Sequence, residues 1–206
     1  MATSDVECVA GCMLVMNGAG LRPSRSVQSG SPEKGRPLSD LQVRWRFPFV
    51  MPSLSSTLMM RTRTFRNIGG FATDHSKCDD YPTMARILDH GKVVRIADFV
   101  TVYRRHDRQI STLHNIEQQV QLSLLRQRIM ETRLGFDVPL GTVMALTLAG
   151  LAESSLEKYR APARSLLDAL LDRFLSDHQP SDAEREWITK DHAERRGKLL
   201  EEPAQS

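Results

Sequence analysis

The sequence predicts an α/β layer over residues 1–112 followed by a helical segment over residues 113–206. Three features point there. Runs rich in Val, Ile, Leu, Cys and Met alternate with short amphipathic stretches up to Ser111, as strands alternate with helices. Glycines punctuate those stretches at Gly18, Gly20, Gly69-Gly70 and Gly91. Beyond residue 113 the β-rich runs stop and apolar residues recur at helical spacing.

Residues 5–17 (DVECVAGCMLVMN) read as a strand, ended by the turn Asn17-Gly18-Ala19-Gly20. Leu21 to Leu41 is rich in Ser, Gly, Pro and Arg and reads as a long loop. In residues 42–50 (QVRWRFPFV), Trp45 and Phe47 alternate with Arg44 and Arg46. That pattern fits an aromatic and basic wall of a cleft, or equally a packed strand or helix end with solvated arginines. Ser53 to Arg61 reads as a buried strand, with Met59 and Met60 in the core. A short helix follows from Thr62 to Ile68, with Thr64 as its cap, Phe65 and Ile68 facing inward, and Gly69-Gly70 as its stop.

The stretch from Cys78 to Ser111 is the most informative. Asp79 and Asp80 can accept N-cap hydrogen bonds, and Pro82 fits the first helical turn, where its missing N–H is not needed. Met84, Ile87 and Leu88 form one apolar face, and Gly91 stops the helix, which therefore runs from about Tyr81 to His90. Val93, Val94, Ile96, Phe99, Val100, Val102 and Tyr103 read as a buried strand, or as two pieces broken near Asp98. A helix that turns at glycine into a strand beside it runs antiparallel to that strand. Asp80 is thus expected on the side of the sheet where Arg104, Arg105 and His106 emerge, the side on which open α/β sheets bind ligands. Further on, residues 114–133, 139–151, 153–175 (with a new helix starting at Pro162) and 181–200 read as helices, and the last residues as frayed.

Composition narrows the class. Hydrophobic residues make up 40% and charged residues 26%, as in an ordinary soluble globular protein. A net charge of +3 is too small to imply nucleic-acid binding. Cys8, Cys12 and Cys78 are odd in number and lack metal-ligand spacing, which points to reduced thiols and a cytoplasmic setting. No apolar run reaches the ~18 residues of a membrane span, although the Arg/Gln-rich helix at 114–133 could touch an anionic membrane surface from the inner side.

Three segments in order, PSLSSTLMMRTRTFRNIGGF, DDYPTMARILDHGK and YRRHDRQIS, resemble the C-terminal, acceptor-side half of family 2 glycosyltransferases of the GT-A fold. The similarity covers about residues 5–112. It implies a partial GT-A, Rossmann-like mixed sheet and inverting transfer of a sugar from a nucleotide-diphosphate sugar to an acceptor hydroxyl, the chemistry of cell-wall or polysaccharide biosynthesis. By the same resemblance Asp80 is the general base, with Asp79 beside it where the family has Glu. Pro82 stands where the family has Asp. Arg104 and His106 match the family's closing motif, which implies a role at the diphosphate, and for His106 at a divalent metal (Mg²⁺ or Mn²⁺). The metal-anchoring Asp-x-Asp of such enzymes occurs nowhere in the 206 residues. A fragment that lacks the donor-binding half, and binds nucleotide sugar poorly alone, is therefore expected.

Competing readings stand beside these. Asp79-Asp80 can be a plain helix cap, His106 a solvated loop histidine, and Arg104-Arg105-Arg108 a solvated turn. His75, His90, His114, His178 and His192 read as surface residues. The alternative to an enzyme is a non-catalytic interaction module, whose incomplete α/β core and helical tail dock a partner chain or a second copy.

Overall fold

The computed structural model describes residues 5–16, 36–73, 78–104, 106, 108, 114–148 and 154–200. Most of the Ser/Gly/Pro/Arg-rich stretch, His75, Arg105, Ser111 and the last six residues lie outside them. The chain forms two units, one of Met1–Arg44 with Met51–Leu122 and one of Trp45–Val50 with Ser123–Ser206.

In the first unit, strand β1 (Val6–Met16) leads to helix α1 (Asp40–Arg46), which ends at the unit boundary. A 3₁₀ turn (Ser55–Thr57), strand β2 (Leu58–Met60), helix α2 (Thr62–Asn67), helix α3 (Asp80–His90) and strand β3 (Lys92–Arg104) follow. The sheet is mixed and has the order β2-β1-β3. β2 pairs antiparallel with Cys8–Ala10 alone, whereas β3 runs parallel to β1 from Val6↔Lys92 to Met16↔Arg104. The expected break near Asp98 is a register shift inside one strand: β3 advances from Arg95 to Phe99 while β1 advances from Ala10 to Cys12. At that irregularity Val100 lies on Gly11, where an added Cβ would stand 2.7 Å from Val100 Cγ1.

The core of this unit takes Cys8, Ala10, Cys12 and Met13 from β1, Val43 from α1, and Tyr81, Met84, Ile87 and Leu88 from α3. The α3 face agrees with its sequence spacing. Both glycines after α2 have positive φ, Gly69 at 79° and Gly70 at 78°, a region that L side chains avoid. Thr64 is not the cap of α2 but lies inside it, and its hydroxyl donates to Glu7 on β1. Met59 is not core. As the middle residue of a three-residue edge strand it points away from its neighbours, and it is 77% exposed. Residues 42–46 are helical, and the buried run before β2 is a 3₁₀ turn instead of a strand.

The second unit is built from the later part of α4 (Asn115–Leu134), α5 (Leu140–Thr147), a 3₁₀ turn (Ser154–Tyr159), α6 (Arg160–Asp177) and α7 (Asp182–Lys198). Leu166, Leu167, Leu170 and Phe174 bury the stripe of α6 that their spacing gives. Trp45 stacks edge-on against Phe49 (5.2 Å) and Phe174 (5.5 Å). Ser181 and Glu184 close a capping box at the start of α7. Arg46 is not solvated: it is 1% exposed and its guanidinium bonds Asp191 Oδ1 at 3.0 Å. Nor is His192 a plain surface residue, since its Nε2 lies 2.8 Å from Asp168 Oδ1.

Candidate functional site

Asp80 is the first residue of α3, and Asp79 is its N-cap position. The cap is not the one the sequence suggests. Asp79 makes no side-chain capping bond, and its backbone carbonyl instead accepts from Thr83 Oγ1 at 2.6 Å. Thr83 Oγ1 also accepts from the backbone N–H of Ala72 at 3.0 Å, which ties the loop before α3 to its first turn. The carboxyl of Asp80 is partly buried. Desolvation, and next the negative charge of Asp79, raise its pKa above the ordinary aspartate value, against the backbone N–H groups of the helix start. A carboxylate held this way is a stronger base than a solvated one.

Cys78 completes the group. It is buried, and its Sγ donates to Gln121 Oε1 on α4 at 3.4 Å. Burial first, then the charges of Asp80 and Asp79, push its thiol up to about 11, so it stands protonated and unreactive at neutral pH. Nothing in the linear pattern singles out Gln121. Its approach to Cys78 depends on where α4 packs, and a glutamine on a polar helix face carries no local signal.

Arg104 ends β3 and is exposed, as is His106. No hydrogen bond or ion pair joins Asp80 to either of them among the described residues. Element lengths give the reason. The eleven residues of α3 rise about 16 Å, whereas the eleven residues of β1 matched by β3 span about 33 Å. The helix therefore runs beside the first half of the strand, and Arg104 stands on the order of 15 Å farther along it than the start of α3. Antiparallel direction alone puts these groups on one side without bringing them together.

At the opposite end of the sheet Glu7 is paired with Arg63 (Nη2–Oε1 2.7 Å) and lies 3.8 Å from Arg61 Nε. The Arg63 bond, then the Thr64 hydroxyl, hold its carboxyl below the usual range. Asp5 and Lys92 pair at the same end. This cluster fastens strands β1 and β3 to their neighbours and offers a substrate little, because its acids are already occupied.

Among the described residues no three His, Cys, Asp or Glu side chains converge to form a metal-ligand group. No helix among them is long and apolar enough to cross a membrane. The chain matches no family model, no curated protein and no solved structure.

Proposed function

We propose that the first unit is the acceptor-side half of an inverting family 2 glycosyltransferase, with Asp80 as its general base. One observation carries the reading: within the segment resembling the family's acidic helix, Asp80 begins α3 with no cation paired to it among the described residues and a pKa raised by burial and by Asp79. In the proposed reaction an Asp80 oxygen takes the acceptor hydroxyl proton. The acceptor oxygen bonds to the anomeric carbon, and the bond from that carbon to the diphosphate breaks with its electron pair. The nucleoside diphosphate leaves and the configuration inverts. Arg104 and His106 would meet the diphosphate in this scheme, on the part of the sheet beyond the reach of α3. Donor and metal binding fall to a separate Asp-x-Asp-bearing half.

The test starts with the reading frame upstream of Met1, where an Asp-x-Asp-encoding stretch is expected. In protein made from that longer frame, Asp80→Asn should lower kcat by at least about a hundredfold with donor KM unchanged. Full activity in that variant would overturn the assignment. Calorimetry of the 206-residue chain with UDP- or GDP-sugars and Mn²⁺ should show no binding; tight binding contradicts the separate donor half.

A second reading, a non-catalytic docking module, is favoured by one specific feature. Phe99, Val100 and Val102 of β3 are 46–51% exposed, and Gly11–Met16 have no strand on the β2 side among the described residues. Parallel strands are ordinarily covered on both faces. No Asp-x-Asp upstream, together with no nucleotide-sugar binding, would favour this module.

A further inference from the structure

The helical unit holds a cavity of about 600 Å³ between the start of α5 and the start of α6, inside the ~300–1,000 Å³ range of small-molecule sites. Its body is apolar, with Phe136, Val138 and Leu166 among its walls. The ring of Tyr159 forms another wall and is seated on Gly141, where an added Cβ would stand 2.5 Å from the ring. Only glycine permits that seat. None of these residues belongs to the Asp80 site.

The polar groups of the cavity favour one sign of charge. The first turns of α5 and α6 both line it, and both lack a side-chain cap bond and any acidic residue. α7, by contrast, begins with a complete capping box and with Asp182 and Glu184. The start of α5 therefore turns its positive end toward this space, whereas α6 continues directly from the 3₁₀ turn Ser154–Tyr159, whose Glu157 pairs with Arg160. Lys158 adds a full charge at the rim, its Nζ 5.0 Å from the centroid of Tyr159. Asp137 is the one acid of the described lining. Thr142 is only 3% exposed yet lines the cavity, and its hydroxyl has no hydrogen-bond partner among the described residues. A hydroxyl left this way can donate to a ligand acceptor.

We propose that this cavity binds a single-chain amphiphilic carboxylate. The alkyl body lies among Phe136, Val138 and Leu166, and the carboxylate meets Lys158, the Thr142 hydroxyl and the start of α5. A neutral ligand would leave Lys158 and the start of α5 unanswered. A cation would oppose them.

The test is calorimetry of the full chain with dodecanoate below its micelle concentration, compared with dodecanol and dodecyltrimethylammonium. Dodecanoate should bind one per chain, at least about tenfold more tightly than dodecanol, the ratio expected of one charge interaction. Lys158→Glu, at the exposed rim, should weaken it by about tenfold or more, and Asp137→Asn should tighten it. Ala169→Phe, which fills the cavity, should abolish binding; if that variant melts differently from wild type, Lys158→Glu decides. No saturable binding, equal binding of the alcohol or the ammonium, or an unchanged affinity in Lys158→Glu overturns the proposal.

Discussion

Asp80 and Asp191 are both partly or wholly withdrawn from water, and their surroundings push them in opposite directions. Asp80 begins a helix beside another aspartate, with no cation paired to it among the described residues, and its pKa rises. Asp191, 6% exposed in the helical unit, would also be raised by burial, but Arg195 and Arg46 outweigh that and hold it below the usual value. Its oxygens accept from Trp45 Nε1 (2.9 Å), Arg46 (3.0 Å) and Arg195 Nε (2.7 Å). Arg46 also lies over Trp187 at 4.7 Å, and Arg195 over Phe49 at 4.5 Å. A carboxylate with every lone pair answered is structural. The carboxylate at the start of α3, met by backbone N–H groups of the helix start, is the one that the proposed base role needs.

The largest expected effect is on the structural side. Asp191→Ala leaves Arg46 and Arg195 buried without their anion and should cost about 3–5 kcal/mol. Both tryptophans, Trp45 and Trp187, lie in the helical unit, so fluorescence during urea unfolding reads it directly. A loss below about 1 kcal/mol would mean that the cluster is solvated and the contrast false. The pH dependence has a definite sign. A lowered carboxyl contributes stability that is complete above its unfolded value and lost as pH falls through the folded one. The tryptophan-detected stability should thus hold at pH 5–7 and fall below about pH 4.

An intermediate effect is expected at Gly11. Gly11→Val forces a side chain into the space held by Val100 and should cost about 1–3 kcal/mol. Circular dichroism should record the loss, while the tryptophan signal of the helical unit sharpens the comparison by reporting whether the two units unfold together. A smaller effect of opposite sign is expected at Asp80. Because its folded pKa is raised, ionisation weakens the fold, so stability is greater below its unfolded pKa and declines as pH rises through the folded one. Asp80→Asn should therefore raise stability at pH 7 by about 0.5 kcal/mol, a gain that disappears near pH 3. Destabilisation at pH 7 would instead assign Asp80 a capping role. Least affected in stability should be Val102→Lys on the exposed part of β3. Wild-type protein is expected to self-associate in light scattering, and this variant to do so less; a wild-type monomer at all concentrations removes the docking reading.

Much of the first unit was legible in the sequence because its signals are local. The Met84, Ile87 and Leu88 spacing, the stop at Gly91 and the Gly69-Gly70 turn each depend on residues within one or two helical turns. Where the reading failed, the deciding contact was distant or the element short. Thr64 looked like a cap, but it answers to Glu7 on β1. Met59 looked like core, but the strand that carries it pairs on one side with only three residues of β1. For the candidate site, the acid pair and its helix were visible, whereas Cys78–Gln121 and the span between Asp80 and Arg104 were not.

Local pattern was enough for the apolar faces of α3 and α6, the glycine stops after α2 and α3, the absence of an Asp-x-Asp in these residues, and the acid pair at the start of a helix. Those follow from periodicity, propensity and residue chemistry, which act between near neighbours. Packing between remote segments settles that Arg46 is buried on Asp191, which stands 145 residues away, that β3 outruns α3, and that the starts of α5 and α6 line one cavity. Such outcomes depend on lengths, registers and packing between remote segments, and a linear pattern does not carry them.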